Sequence, residues 1–440
     1  MGKERTEKDQ NLIIVLCWLV YTAAYLGRYG YSANIPQIEA QFGVGHSATG
    51  LVGMCFFVAY GAGQVVNGIF CKKYPKRVVL SGVLVVSAIL NLVVWLGVGF
   101  AAYKYLWLVN GLAQSVLYSS LMVVIGDFVL QKNYKKAVFA MGTTVGVGTL
   151  LAYGMSFLLV KIGGYRHIFL VAFAVMAAVA LVWFFGYGRV TKRLESVRAE
   201  IAASAEEEKE PSAGRGGKVT GGLVAVIALF AVFAVINNLI KDGLLSWVPS
   251  IMIESFSLPN DISTLLTVAL PAVGIFGTAL MLWLNKLCKN NYYLSAGILF
   301  LLTAALCFTV PYLSAQQSLW VLAIVCLAVV NCFMTGINNL IITVVPLSMR
   351  GRISAGLLAG LFDGFCYVGS AISTYGIGAI AESTGWNTVF YLFAACACVP
   401  VLVAAVVLPL SLARRNKKAK KGQPQATSEE NGEENKRNND

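Results

Sequence analysis

The sequence predicts an all-α polytopic membrane protein whose twelve transmembrane helices form two pseudo-symmetric six-helix halves. Three observations carry that expectation. Of the 440 residues, 58% are hydrophobic and only 12% are charged, about half the charged share of a soluble domain, too little to cover a water-facing surface of this size. The mean hydropathy is +0.71. The apolar residues fall in long runs punctuated by short basic clusters, and at about 20 residues per crossing the chain can hold twelve spans with loops and tails to spare.

The first span is expected near 11–34; its apolar run is too long for a cleaved leader, and the segment around Tyr25–Arg28 offers no small-residue cleavage site. Spans near 48–70 and 78–98 flank the basic cluster Lys72, Lys73, Lys76 and Arg77. A span near 104–128 follows, and Lys132, Lys135 and Lys136 precede the next at 136–160; the sixth lies near 166–187. The long polar insert 188–220 then divides the chain, leaving 1–187 as the first half and 221–413 as the second, with 188–220 as a cytoplasmic linker. In the second half spans are expected near 221–247, 262–285, 292–313, 318–342, 354–379 and 386–412. The tail 414–440 is charge-rich and without apolar periodicity, which predicts disorder.

All but five of the 34 Lys and Arg residues fall on the side of the membrane that carries the N-terminus. Lys104, Lys161 and Arg166 lie on the other side, so the excess of basic residues predicts cytoplasmic termini. The formal charge of +13 is spread among short inter-span runs rather than gathered on one folded face, which argues against nucleic acid. The ten Cys lie mostly inside spans without CxxC spacing, and neither His46 nor His167 has metal-ligand spacing to them, so no metal and no cofactor is expected.

Two basic residues remain, Arg28 and Lys241, and both lie inside expected spans, the first of each half. A cation at membrane depth costs about 2.5–3.5 kcal/mol on the lenient insertion scale and therefore faces a polar cavity or a partner. Their surroundings repeat: Arg28, Gly30, Pro36 and Ile38 match Lys241, Gly243, Pro249 and Ile251 at the same offsets. Two halves built alike place these cations across a pseudo-twofold axis, where a dianion such as phosphate suits a guanidinium fork and a point-like ammonium. The alternative assignment is structural, with Asp363, Asp242 or Asp127 neutralising a buried cation. Tyr21 and Tyr25 share a helical stripe with Arg28, Tyr60 and Gln64 form an i, i+4 pair in the second span, and Asn237 and Asn238 precede Lys241 by one turn. Their hydroxyls and amides suit phosphate oxygens or sugar hydroxyls.

These residues together resemble the organophosphate:phosphate antiporter family of the major facilitator superfamily. The first-span pattern Tyr21, Tyr25, Arg28 and Pro36, the seventh-span Lys241, Gly243, Trp247 and Pro249, and the fourth-span Asn110-Gly111 and Gln114 are similar to the family's motifs, as is the region from Pro346 to Trp386 with Tyr367 at a family tyrosine position. The resemblance implies the major facilitator fold and a phosphate clamp at Arg28 and Lys241, with Tyr21, Tyr25, Tyr60, Gln64, Asn238, Asp363 and Tyr367 around the substrate. The segment with Lys72, Lys73 and Arg77 resembles the superfamily's gating loop, though Lys72 stands where an acid is usual. Lys241 also stands where bacterial glycerol-phosphate members carry Arg, Gln64 where a lysine is common, and Thr143 where a histidine is common.

The function expected is exchange of inorganic phosphate for a phosphorylated metabolite, a sugar phosphate or glycerol-3-phosphate, by alternating access in the plasma membrane. The carrier is expected to be a monomer in the lipid bilayer and not an enzyme; no P-loop motif is present. The alternatives are a proton-coupled organic-anion symporter, with Asp363 or Asp127 carrying the proton, and a transporter-like sugar-phosphate sensor.

Overall fold

The computed structural model describes residues 3–207, 221–349, 353 and 355–421. Twelve of its helices are long and apolar enough to cross a membrane: Thr6–Ser32, His46–Lys73, Lys76–Trp95, Phe100–Phe128, Lys132–Ile162, His167–Arg193, Leu223–Phe256, Asn260–Leu287, Tyr292–Ser314, Gln317–Ser348, Leu357–Thr384 and Trp386–Val407. Each overlaps one expected span. Large apolar side chains point outward, Phe139 at 74% and Val406 at 69% exposure among them, which is the favourable arrangement only where lipid is the surrounding solvent.

The packing pairs repeat between the halves. The third span packs on the sixth as the ninth packs on the twelfth, the second on the fourth as the eighth on the tenth, and the first on the fifth as the seventh on the eleventh. The halves meet where the second span packs on the eleventh and the fifth on the eighth, two contacts that a shift of six spans exchanges. This is the two-half architecture that the repeated cation, Gly and Pro offsets imply.

Backbone details follow from residue type. After the first span the chain breaks at Ala33–Asn34, and Pro36 opens a short helix, Ile35–Phe42, that ends at Gly43 with φ +63, a left-handed conformation glycine adopts without penalty. In the second half the equivalent Pro249 lies inside a continuous helix, Gly221–Phe256. Proline has no N–H for the carbonyl of Leu245. That carbonyl instead accepts a hydrogen bond from the hydroxyl of Tyr153 in the fifth span, so an acceptor freed in one half is satisfied from the other.

Helix extends into both polar segments. The sixth span runs to Arg193, inside the expected linker 188–220, and a further helix spans Glu195–Glu207. Buried Leu194 and Val197 anchor that helix, and Arg198 reaches Asp127 at 3.8 Å and the Phe128 ring at 5.7 Å. The last helix likewise continues to Lys421 through a stretch read as disordered, because extending an existing helix costs little compared with nucleating one. Residues 208–220 of the linker and 422–440 of the tail lie outside the described residues.

The fourth-span motif has a packing cause. A Cβ on Gly111 would meet the Phe56 carbonyl oxygen at 2.3 Å, so only glycine lets the second and fourth spans approach this closely. Gly111→Ala should therefore destabilise by about 1–3 kcal/mol, whereas Gly82→Ala, where a Cβ meets nothing within 4 Å, should leave the thermal transition unchanged or raise it. Thermal unfolding of the two detergent-solubilised variants checks this; equal transitions would show that the close approach is not required.

Candidate functional site

A cavity of about 280 Å³ lies between the halves. Seven of the nine residues assigned to the substrate by sequence line it: Tyr21, Tyr25, Arg28, Asn238, Lys241, Asp363 and Tyr367. The two cations thus share one compartment. A second cavity of about 300 Å³, between Phe230, Tyr292, Tyr293 and Met349, has no charged side chain in its lining and offers nothing to hold an anion.

Arg28 is 5% exposed, and no carboxylate lies within ion-pair distance of it among the described residues. Its guanidinium carbon sits 4.6 Å from the ring centres of Tyr25, Phe56 and Tyr60. A π face stabilises a cation by about 0.5–2 kcal/mol without accepting its conventional hydrogen bonds. The charge is held and left uncompensated, and Nε has no hydrogen-bond partner. Lys241 differs, since its Nζ lies 3.5 Å from Asp242 Oδ1. The other Asp242 oxygen accepts from Ser370 Oγ and, at 3.5 Å, from Asn238 Nδ2, which fixes the carboxylate beside Lys241.

Tyr60 and Gln64 do not line the cavity. Tyr60 is fully buried behind Arg28, its hydroxyl 3.4 Å from that of Tyr21 and its ring 4.5 Å from that of Tyr367; it holds the arginine instead of facing a ligand. Gln64 donates from Nε2 to Asp363 Oδ2 at 2.7 Å, a bond between the two halves. Asp363 therefore has an amide partner and makes no ion pair with either cation among the described residues. Asp127 is 42% exposed and pairs with Arg198, far from an intramembrane proton carrier's setting. Between the second and third spans, Lys72 and Lys73 are exposed in a single tight turn, Cys71–Lys73. Arg77 donates from Nε to the Phe184 carbonyl at 2.7 Å and lies 4.1 Å over its ring, tying the third span to the sixth.

Sequence reasoning missed the tenth span's contribution. Asn331, Thr335, Asn338 and Asn339 line the cavity at i, i+4, i+7 and i+8. The same stripe rule that joined Tyr21, Tyr25 and Arg28 would have found them.

The membrane face opposite the termini is closed by contacts across the halves. His46 places Nδ1 2.9 Å from Glu39 and Nε2 3.0 Å from Glu254, and Trp386 Nε1 donates to Glu254 at 2.9 Å. The His46 ring packs on Trp247 and Trp386 with centres 5.3 and 5.4 Å away. Ser47 bonds Glu382 through its amide at 2.8 Å, and Lys161 pairs with Asp261 at 3.2 Å. Near the termini the polar contacts join residues of one half: Asp9 with Arg193, Gln10 with Asn133 and Asn11 with Lys136. The cavity is accordingly closed by cross-half contacts on the far face; toward the termini, the Gln64–Asp363 bond joins the halves.

Two halves around a charged midplane cavity, sealed on one side, define a polytopic membrane transporter. The model of the Major Facilitator Superfamily matches residues 17–374, and the chain belongs to that family. It is 26% identical over 384 residues to sugar phosphate exchanger 3 of Bos taurus, covering 78% of this chain and 76% of the relative. It is 28% identical over 102 residues, 23% of each chain, to the membrane sensor protein UhpC of Escherichia coli. A solved bacterial homologue of the human lysosomal transporter Spinster superimposes with a TM-score of 0.68 at 13% identity, over 91% of this chain and 96% of that one.

If His46 helps to close the far face, His46→Ala should raise amide hydrogen exchange several-fold in residues 33–50 and 246–261, which carry the cross-half contacts. Exchange measured by mass spectrometry checks this, and unchanged protection in both segments would remove His46 from the seal.

Proposed function

We propose that this chain is a secondary antiporter that exchanges inorganic phosphate for a phosphorylated metabolite by rocking its halves around the shared cavity. The observation that carries the reading is Arg28, a buried cation held by rings and paired with no carboxylate among the described residues. A phosphate dianion supplies the missing counter-charge through two oxygens on the guanidinium fork, with Lys241 as a second, point-like donor. The relative named as a sugar phosphate exchanger supports the same chemistry. Exchange follows from differential binding: an empty site leaves Arg28 uncompensated as the halves close, and a bound anion relieves that cost.

In this reading the carrier works as a monomer in the plasma membrane with both termini cytoplasmic, and the compartment open toward the termini is the cytoplasmic one. Lys72, Lys73 and Arg77 then serve the cytoplasmic gate. It needs no metal or cofactor and has no catalytic step.

Arg28→Lys should lower phosphate exchange in proteoliposomes at least tenfold although the charge is retained, because the fork and its ring contacts are lost; Lys241→Arg should keep a larger share. Undiminished exchange in Arg28→Lys would refute bidentate recognition. Asp363→Asn keeps the shape that meets Gln64 and removes an acid from the cavity, so phosphate should bind more tightly. Abolished transport together with lost response to a pH gradient would instead favour the proton-coupled symporter.

A further inference from the structure

The part of the cavity wall supplied by the tenth span is neutral and rich in amides. Asn331, Thr335, Asn338 and Asn339 fall within a wedge of about 100° on the tenth span, and Thr278 and Thr343 join them in the lining. Polar groups at this depth are costly unless they meet a cavity or a partner, and the partners are incomplete. Among the described residues, the Asn339 amide makes no hydrogen bond, and neither do the hydroxyls of Thr278 and Thr343. Asn338 accepts from Asn237 at 3.5 Å and from Cys366 at 3.6 Å while its own NH₂ donates to nothing. Asn331 donates to the Leu270 carbonyl at 2.7 Å and is 5% exposed; its backbone carbonyl accepts from Thr335 Oγ1, while among the described residues its side-chain Oδ1 accepts nothing. Immediately after Asn339 the helix widens into a π turn, Leu340–Val344, a local irregularity often found at functional positions.

The other half faces this wall with Tyr21, Tyr25, Tyr29 and Arg28. The only other charges in the lining are Lys241, Asp242 and Asp363. Among the described residues no cation remains for a second anionic group, and two carboxylates repel one.

Resting on the phosphate reading above, we propose that the amide face of the tenth span reads the hydroxyl groups of the metabolite's organic part. The carrier then selects a polyhydroxylated, uncharged organic group, as in a hexose phosphate, and rejects a phosphorylated carboxylate of the same size. An amide offers two donors and an acceptor, which matches a hydroxyl that both gives and takes a hydrogen bond. Loss of that match leaves buried polar groups unpaired, which discriminates more strongly than a change in apolar bulk.

The test is competition in proteoliposomes exchanging labelled phosphate for phosphate. With the parent protein, glucose-6-phosphate should inhibit at concentrations at least tenfold lower than 6-phosphogluconate, which adds a carboxylate, and several-fold lower than 2-deoxyglucose-6-phosphate, which lacks one hydroxyl. In Asn339→Ala and Asn338→Ala, the ratio of the glucose-6-phosphate constant to that of unlabelled phosphate should rise about tenfold. An unchanged ratio overturns the assignment, as does equal weakening of both ligands, or a parent that takes 6-phosphogluconate as readily as glucose-6-phosphate. The parent ligand series decides the matter even if an Asn variant fails to fold. A parent that exchanges no phosphate overturns the antiporter reading itself, a result distinct from phosphate exchange without sugar selectivity.

Discussion

The uncompensated charge of Arg28 is the constraint around which the rest of the molecule is arranged. A cation in the membrane interior has few tolerable settings, and pairing with a carboxylate is the simplest; here three aromatic rings take that role. Rings lower the cost of burial and leave the N–H donors unspent. They must themselves be held, which is why Tyr60 is enclosed between Tyr21 and Tyr367 and why Gly61 is small enough for the Tyr367 side chain to lie against it. The packing of the second span on the eleventh is in this sense the outer wall of the arginine's cage.

Lys241 shows the other solution to the same problem, with a fixed acid beside it. The sequence repeat therefore conceals a chemical difference: Arg28 and Lys241, at equal offsets from Gly, Pro and Ile, line one cavity, while among the described residues only Lys241 has a carboxylate partner. Symmetry supplies the position, and the local side chains decide what each position does.

The fold was legible because membrane crossing demands long apolar runs, and the two intramembrane cations stood out for the same reason. Helical spacing put Tyr21, Tyr25 and Asn238 on faces that line the cavity but could not say what lies against a face, so it did not show that Tyr60 packs on Arg28 or that Gln64 bonds Asp363. The tenth-span asparagines escaped notice because an uncharged amide does not register in a count of Lys and Arg. The helical continuation to Lys421 was hidden by polar composition, which reports poor burial rather than backbone conformation.

Pro249 leaves one carbonyl, that of Leu245, without its helical donor, and the Tyr153 hydroxyl fills the vacancy from across the interface. When the far face parts, those two buried groups separate, and an abandoned carbonyl there is unfavourable until something else donates to it. Water is the obvious successor. Hydration of the opening crevice is thus tied to the motion by a single backbone atom, whose donor is the Tyr153 hydroxyl when the face is closed and solvent when it parts.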